Sequence, residues 1–262
     1  MDCGADRQDA RNSVRLGTRM LSVMDAAQSM QLAASGLTKR YRKFTALDEA
    51  AFSVSAGELV ALIGPNGSGK TTLLELVAGL LAADSGAVTA EGAPLPRSER
   101  SRAVFYLPDG IRPWPEQRVD WVLRMAEGLF GGSGAMREMA IERLSLTPLL
   151  GARMGTLSKG EHKRVMLAIG VMTPQPILML DEPFDGLDLR QTREVMSLLR
   201  DHAGSGRGLF VSIHQLSDAA RVADRLVLLS NGKVVGTGTL DQLRAAARLP
   251  GASLEEVFLA LT

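Results

Sequence analysis

Cysteine is almost missing from this sequence. Cys3 is the only one, so no internal disulfide can form, and a disulfide scaffold or a cysteine-rich zinc or iron–sulfur site is excluded. A charge excess of either sign is missing too. Thirty Lys and Arg face 29 Asp and Glu, a formal net charge of +1. Nucleic-acid and membrane-surface binding would show as a strong basic excess, so no nucleic-acid partner is expected. Long apolar runs are also absent. Those around Leu59–Ile63 and Leu76–Ala83 fall well short of the roughly 18 residues of a membrane span. No stretch near the start resembles the apolar core of a signal peptide. A cytoplasmic chain is expected, and any work at a membrane would need another subunit to cross it.

What remains is ordinary for a globular protein: 262 residues, 45% hydrophobic and 23% charged, enough for one large domain or two modest ones. The twelve Met read as core and interface filler. Residues 1–30 differ from the rest, with four Arg, four Asp and no apolar periodicity. They read as a disordered extension ahead of a domain at 31–262, with Met24 or Met30 as candidate native starts.

From residue 31 short apolar runs alternate with helix-like stretches. Ala51–Ser55, Leu59–Ile63, Val88–Ala90, Val104–Leu107, Ile177–Leu180, Gly208–Ile213 and Leu226–Leu229 read as strands. Thr71–Ala82 reads as a helix. Residues 116–150 read as helices separated by a loop at Gly131–Gly134, which no Lys-Ser/Thr follows. Strands too apolar to have a wet face, alternating with helices, predict an α/β fold with a mainly parallel sheet covered on both sides. No internal repeat is present.

Gly64-Pro65-Asn66-Gly67-Ser68-Gly69-Lys70-Thr71 fits the phosphate-loop pattern G-x-x-x-x-G-K-[ST], between a predicted strand and a predicted helix, with Thr72 next. The glycines let backbone N–H groups wrap a phosphate chain. The helix N-terminus adds positive potential. Lys70 reaches the β- and γ-phosphates, and the Thr71 hydroxyl can ligate Mg²⁺. Farther on, the run Ile177–Leu180 ends in Asp181-Glu182. Asp181 is predicted at the C-terminal edge of the sheet, where it can hold Mg²⁺. Glu182 points differently and is the candidate base for the attacking water.

Between these motifs lies Leu157-Ser158-Lys159-Gly160-Glu161. After them come Phe184-Asp185-Gly186-Leu187-Asp188 and, 32 residues past Glu182, His214. This ordered set resembles the nucleotide-binding subunit of an ABC transporter over about residues 31–262. The resemblance implies a P-loop NTPase core with a small antiparallel β subdomain. It also implies a helical subdomain inserted at about 108–163 and C-terminal helices at about 239–262. It implies ATP and Mg²⁺ as ligands. It places Tyr41, 23 residues before Gly64, on adenine. Ser158 and Gly160 would bind the γ-phosphate of ATP held by a second subunit, Asp188 would couple the two sites, and His214 would contact the γ-phosphate. Two head-to-tail subunits, alike or different, would close around two ATP and drive a separate permease from the inner face of the membrane.

Local readings sit beside these. Ser158 and Glu161 form a capping-box pattern, compatible with a phosphate site at the same helix end. His162 and His202 read as surface residues, and Asp185 as a turn residue.

Two motifs depart from the family pattern, at three positions. Asp109 stands where the family carries the Gln that senses Mg²⁺ and the attacking water. A carboxylate can bind Mg²⁺, but it lacks the amide's donor, so unaided hydrolysis is expected to be slow, with Asp109 as a candidate catalytic and metal residue. Lys159 and Glu161 replace Gly and Gln of the motif written LSGGQ, and the Lys159 side chain is expected to point to solvent. The ending Ser253–Thr262 resembles ATPase subunits of type-2 exporters, and export of an unknown cargo is the first reading. The chain stops 48 residues after His214, so the regulatory domain common in sugar importers is not expected. An importer subunit or a soluble iron–sulfur assembly scaffold stays as an alternative. An apolar groove on the helical subdomain, with Trp114, Trp121 and Leu123 as candidates to line it, would favour a permease.

Overall fold

Strands that are apolar on both faces need a cover on each side, and the computed structural model, which describes residues 30–262, supplies two. The principal sheet has the order β10-β9-β3-β8-β7-β6. Its parallel strands are β3 (Leu59–Ile63), β6 (Val104–Leu107), β7 (Ile177–Asp181), β8 (Gly208–Ser212) and β9 (Arg225–Ser230), with β10 (Lys233–Gly238) antiparallel at one edge. The second sheet is antiparallel, in the order β2-β1-β4-β5, from β1 (Gln31–Tyr41), β2 (Phe44–Ser55), β4 (Ser85–Ala90) and β5 (Ala93–Pro94).

Side chains along a strand point alternately to opposite faces, and this divides the core in two. Leu59, Ala61, Leu178, Leu180, Leu209 and Val211 enter one buried cluster, shared with the helices. Val60, Leu62, Ile177, Met179 and Phe210 enter the other, between the two sheets. There Phe52 of β2 stacks on Phe210 of β8, with ring centroids 4.3 Å apart.

Helix α1 (Lys70–Ala78) follows the phosphate loop. It ends four residues before the predicted limit because Gly79 adopts φ 82° and the N–H groups of Gly79 and Leu80 close back on Leu76 and Glu75. A short turn, α2 (Arg100–Ala103), leads into β6. The segment 116–150 forms α3 (Val119–Phe130) and α4 (Gly134–Arg143), separated at Gly131 (φ 80°) and with Ser133 capping α4. Helix α5 (Lys159–Met172) starts on Ser158 and runs into the core. After β7 come α6 (Leu189–Gly204), α7 (Leu216–Val222), α8 (Leu240–Ala247) and α9 (Leu254–Leu261). Met30 is buried against the inter-sheet core. The disordered-extension reading of residues 1–30 lies outside the described residues except at Met30, and the Met24 start lies outside them too. Among the described residues, no helix is long and apolar enough to cross a membrane.

Candidate functional site

The loop between β3 and α1 is shaped by closeness. A Cβ on Gly64 would fall 2.3 Å from the Leu229 carbonyl oxygen and 2.5 Å from Ser68 Oγ. Gly67 (φ 78°) and Gly69 (φ 107°) take conformations that favour glycine. Pro65, Asn66 and Gly67 are exposed along the rim, and Thr72 is half-buried in the first turn of α1. Lys70 is buried, and its Nζ donates to the Gly64 carbonyl at 2.8 Å and to that of Pro65 at 3.3 Å. Burial lowers its ammonium pKa, while the charges of Glu182 and Asp181 oppose that shift.

Thr71 Oγ1 donates to Asp181 Oδ2 at 3.0 Å, across 110 residues of sequence. Asp181 ends β7 and is 8% exposed. Its other oxygen accepts from Ser212 Oγ. The Tyr106 hydroxyl lies 3.5 Å from Asp181 Oδ2. Burial first, and then the Asp181 charge, raise the pKa of that phenol, so it stays protonated.

Glu182, the next residue, has φ 48°, a left-handed conformation unusual outside glycine. Its N–H donates to Ser212 Oγ at 2.9 Å. Its carbonyl accepts from Lys163 Nζ at 2.9 Å and from the Asp185 N–H at 3.2 Å. Its side chain borders a 120 Å³ cavity with His214, Asp185 and Ser212. His214 is exposed, one residue past Ile213.

The capping box at Ser158 is present: Ser158 Oγ accepts from the Glu161 N–H at 3.3 Å, and Glu161 Oε2 accepts from the Ser158 N–H at 2.8 Å. A Cβ on Gly160 would lie 2.8 Å from the Gly186 carbonyl oxygen. Asp188 caps α6, accepting from the Gln191 N–H at 2.8 Å. Tyr41 ends β1, 45% exposed, with Lys39 Nζ 5.6 Å from its ring centroid.

Several sequence expectations change. The Lys159 side chain is 57% exposed, as expected, but it is also tied down, with its Nζ 2.6 Å from Asp185 Oδ2. Asp185 is therefore more than a turn residue, and this bond to Lys159 holds its carboxyl below the usual range. Asp109 bonds Lys163 Nζ at 2.5 Å, and its carboxylate clusters with those of Glu182 and Asp185. His162 and His202 are not surface residues. Both are half-buried, with His202 Nε2 2.8 Å from the Val171 carbonyl and His162 Nε2 without a hydrogen-bond partner. Leu123 is fully buried in the helical core and lines no groove. An apolar groove of 610 Å³ does exist, bordered by Leu80, Phe105, Ile111, Trp114, Leu129 and Phe130. Trp121 is exposed apart from it.

Sequence reading missed Ser212, Lys163 and Tyr106. Ser212 did leave a signal, as a hydroxyl inside the apolar run Leu209–Ile213.

The donor set fits the ligands that such a loop implies. Ser68 Oγ is buried in the loop without a hydrogen-bond partner, and the cradle has no room for a side chain at Gly64 or Gly69. The Thr71 hydroxyl and the Asp181 carboxylate are the hard oxygen donors that Mg²⁺ prefers.

Comparison with known proteins agrees with this reading. The ABC transporter family model matches residues 47–185. The SkfA peptide export ATP-binding protein SkfE of Bacillus subtilis (strain 168) is 32% identical over 212 residues, which span 79% of this chain and 88% of that protein. The hemin import ATP-binding protein HmuV of Streptomyces coelicolor is 35% identical over 228 residues, 83% of this chain and 81% of that protein. A solved ATP-binding subunit of an ABC transporter superposes with a TM-score of 0.80 at 32% identity, covering 88% of this chain and 98% of that one. With a phosphate loop facing an acidic strand end on the same sheet edge, the chain belongs to the ABC transporter family, as one of its ATP-binding subunits.

Proposed function

We propose that this chain binds Mg²⁺-ATP, hydrolyses it in a dimer of cassettes, and powers a separate membrane permease, in the direction of export. The convergence of Lys70, Thr71, Asp181 and Glu182 at the ends of β3 and β7 carries this reading.

Backbone N–H groups of residues 64–69 and the start of α1 would hold the phosphates. Lys70 would exchange the Gly64 and Pro65 carbonyls for phosphate oxygens. Mg²⁺, held by Thr71 and Asp181, would neutralise phosphate charge. Glu182 would accept a proton from water as the water oxygen bonds the terminal phosphorus and the bond to the ADP oxygen breaks. His214 would contact the transferred phosphoryl group and Tyr41 the adenine. Ser158 and Gly160, at the N-terminus of α5, would complete the partner's site, with Asp188 between the two. Most of the catalysis is then positioning and charge stabilisation.

The apolar groove supports a membrane partner over a free-standing scaffold, since exposed apolar surface of this kind marks a docking site. The resemblance of Ser253–Thr262 to type-2 exporter subunits and the peptide-export name of SkfE support export. The hemin-import name of HmuV keeps import as the second reading.

Mg²⁺-dependent ATPase assays on wild type and Glu182→Gln, with gel filtration in ATP, test the proposal. Turnover lost in the variant, together with an ATP-stabilised dimer, is expected. A variant as active as wild type would overturn the role of Glu182. Purification with a co-expressed permease tests the membrane partner, and cargo accumulation in inverted vesicles would establish export.

A further inference from the structure

We propose that Lys163 is a positioning residue for Glu182, and that it works as one unit with Asp109. The proposal rests on the reading of Glu182 as the base and assigns a residue that this reading leaves unused.

A non-glycine residue at φ 48° is strained, and such a conformation persists only where its surroundings over-determine it. Three groups hold the Glu182 backbone: Ser212 Oγ on its N–H, and the Asp185 N–H and Lys163 Nζ on its carbonyl. Lys163 is the only one that brings a charge. Its side chain is 10% exposed, on the first turns of α5, so its ammonium has little water. Asp109 Oδ1, at 2.5 Å, supplies the counter-charge. The same Nζ thus joins two segments, the loop after β6 and the turn after β7, through charge-assisted bonds, which are shorter and stronger than neutral ones.

The pair also explains the departure at position 109. An amide there would strip the buried ammonium of its bonded anion, leaving nearby only the carboxylates of Glu182 and Asp185, which it does not bond, and removing one member of such a pair is far more damaging than removing both. Asp109 and Lys163 therefore make sense together and poorly apart. Lys159, one helical turn earlier, carries a second ammonium to Asp185, so α5 meets the cluster of Asp109, Glu182 and Asp185 with two cations.

The experiment is a double-mutant cycle on the full chain: Lys163→Gln, Asp109→Gln and the double variant, with Lys163→Arg as the conservative change and Glu182→Gln alongside. Each single neutral change should lower kcat about tenfold while the KM for ATP stays within about twofold, and the double variant should lose no more than either single, as coupled neighbours do. Lys163→Arg should keep more turnover than Lys163→Gln. Amide hydrogen exchange without nucleotide supplies a readout independent of turnover: Lys163→Gln should speed exchange in residues 182–187, and the double variant should not add to it. An unchanged kcat in Lys163→Gln, or single losses that multiply in the double variant, would overturn the proposal while Glu182→Gln remains inactive. If Glu182→Gln keeps full turnover, the functional reading itself fails. The exchange arm then decides on its own whether Lys163 clamps the Glu182 backbone, with unchanged exchange counting against it.

Discussion

Ser212→Ala removes one oxygen from a fully buried strand position and should be felt in both fold and site. Ser212 is 0% exposed. Its Oγ accepts from the Glu182 N–H at 2.9 Å and donates to Asp181 Oδ1. Losing the acceptor leaves an unsatisfied amide, a cost of about 1–3 kcal/mol, and losing a donor to a carboxylate costs about 1.5–3 kcal/mol. The two share one atom and will not add fully, so the expected destabilisation is about 2–4 kcal/mol. With a urea m-value of about 3 kcal/mol/M, the unfolding midpoint should fall by roughly 1 M.

Turnover should fall as well, by about tenfold, because the strained Glu182 backbone loses the anchor on its N–H. Ser230→Ala is the control. Ser230 is also buried, at 8% exposed, but among the described residues its Oγ accepts only from Asn231 Nδ2 at 3.5 Å, and its loss should cost less than about 0.5 kcal/mol. Urea titrations followed by far-UV circular dichroism, with ATPase assays on the same samples, would show both effects. A Ser212→Ala midpoint equal to that of Ser230→Ala, with wild-type turnover, would refute the reasoning.

Gly64→Ala places a Cβ 2.3 Å from a backbone oxygen, that of Leu229, which cannot rotate away. Overpacking of about 1–3 kcal/mol should distort the loop, and ATP affinity by calorimetry should drop about tenfold or more; wild-type affinity would show that the loop has slack. Acid stability should depend on His202. Burial first, and then the Arg207 charge, lower the imidazole pKa of His202 from its ordinary 6.5. The unfolded chain then binds a proton that the folded chain refuses, so this contribution is complete above pH 6.5 and is lost as pH falls below it. His202→Gln should flatten the acid limb of the stability curve by up to about 1.4 kcal/mol per pH unit, and urea midpoints that stay parallel to wild type across that limb would count against it.

The parts of the site legible in the sequence are the contiguous ones. Residues 64–71 read as a phosphate loop because one backbone turn needs its glycines, its Lys and its Thr in fixed order, and no distant residue has to be known. The strands were legible because parallel strands covered on both faces are apolar throughout. Ser158 was legible as a cap because its partner Glu161 is three residues away. The surface reading of His202 failed for the opposite reason. Its acceptor is the Val171 carbonyl at the end of α5, 31 residues back, and no local pattern announces it.

Strand register explains the rest. In the pairing of β7 with β8, Asp181 stands opposite Ser212, so a serine 31 residues away becomes the nearest hydroxyl to the acidic strand end. In the pairing of β6 with β7, Leu107 stands opposite Leu180. Two residues farther along each chain come Asp109 and Glu182, which is why their carboxylates meet. Helix α5 then passes this edge with Lys163 facing inward. The neighbours of Glu182 therefore follow from the strand order β6-β7-β8, and the phosphate loop comes to the same edge because β3 is the next strand beyond β8. A motif can name Asp181 and Glu182 as a pair of acids. Only the register shows that Ser212 and Lys163 hold them at different angles, one carboxylate turned to the Thr71 hydroxyl and the other to the cavity beside His214.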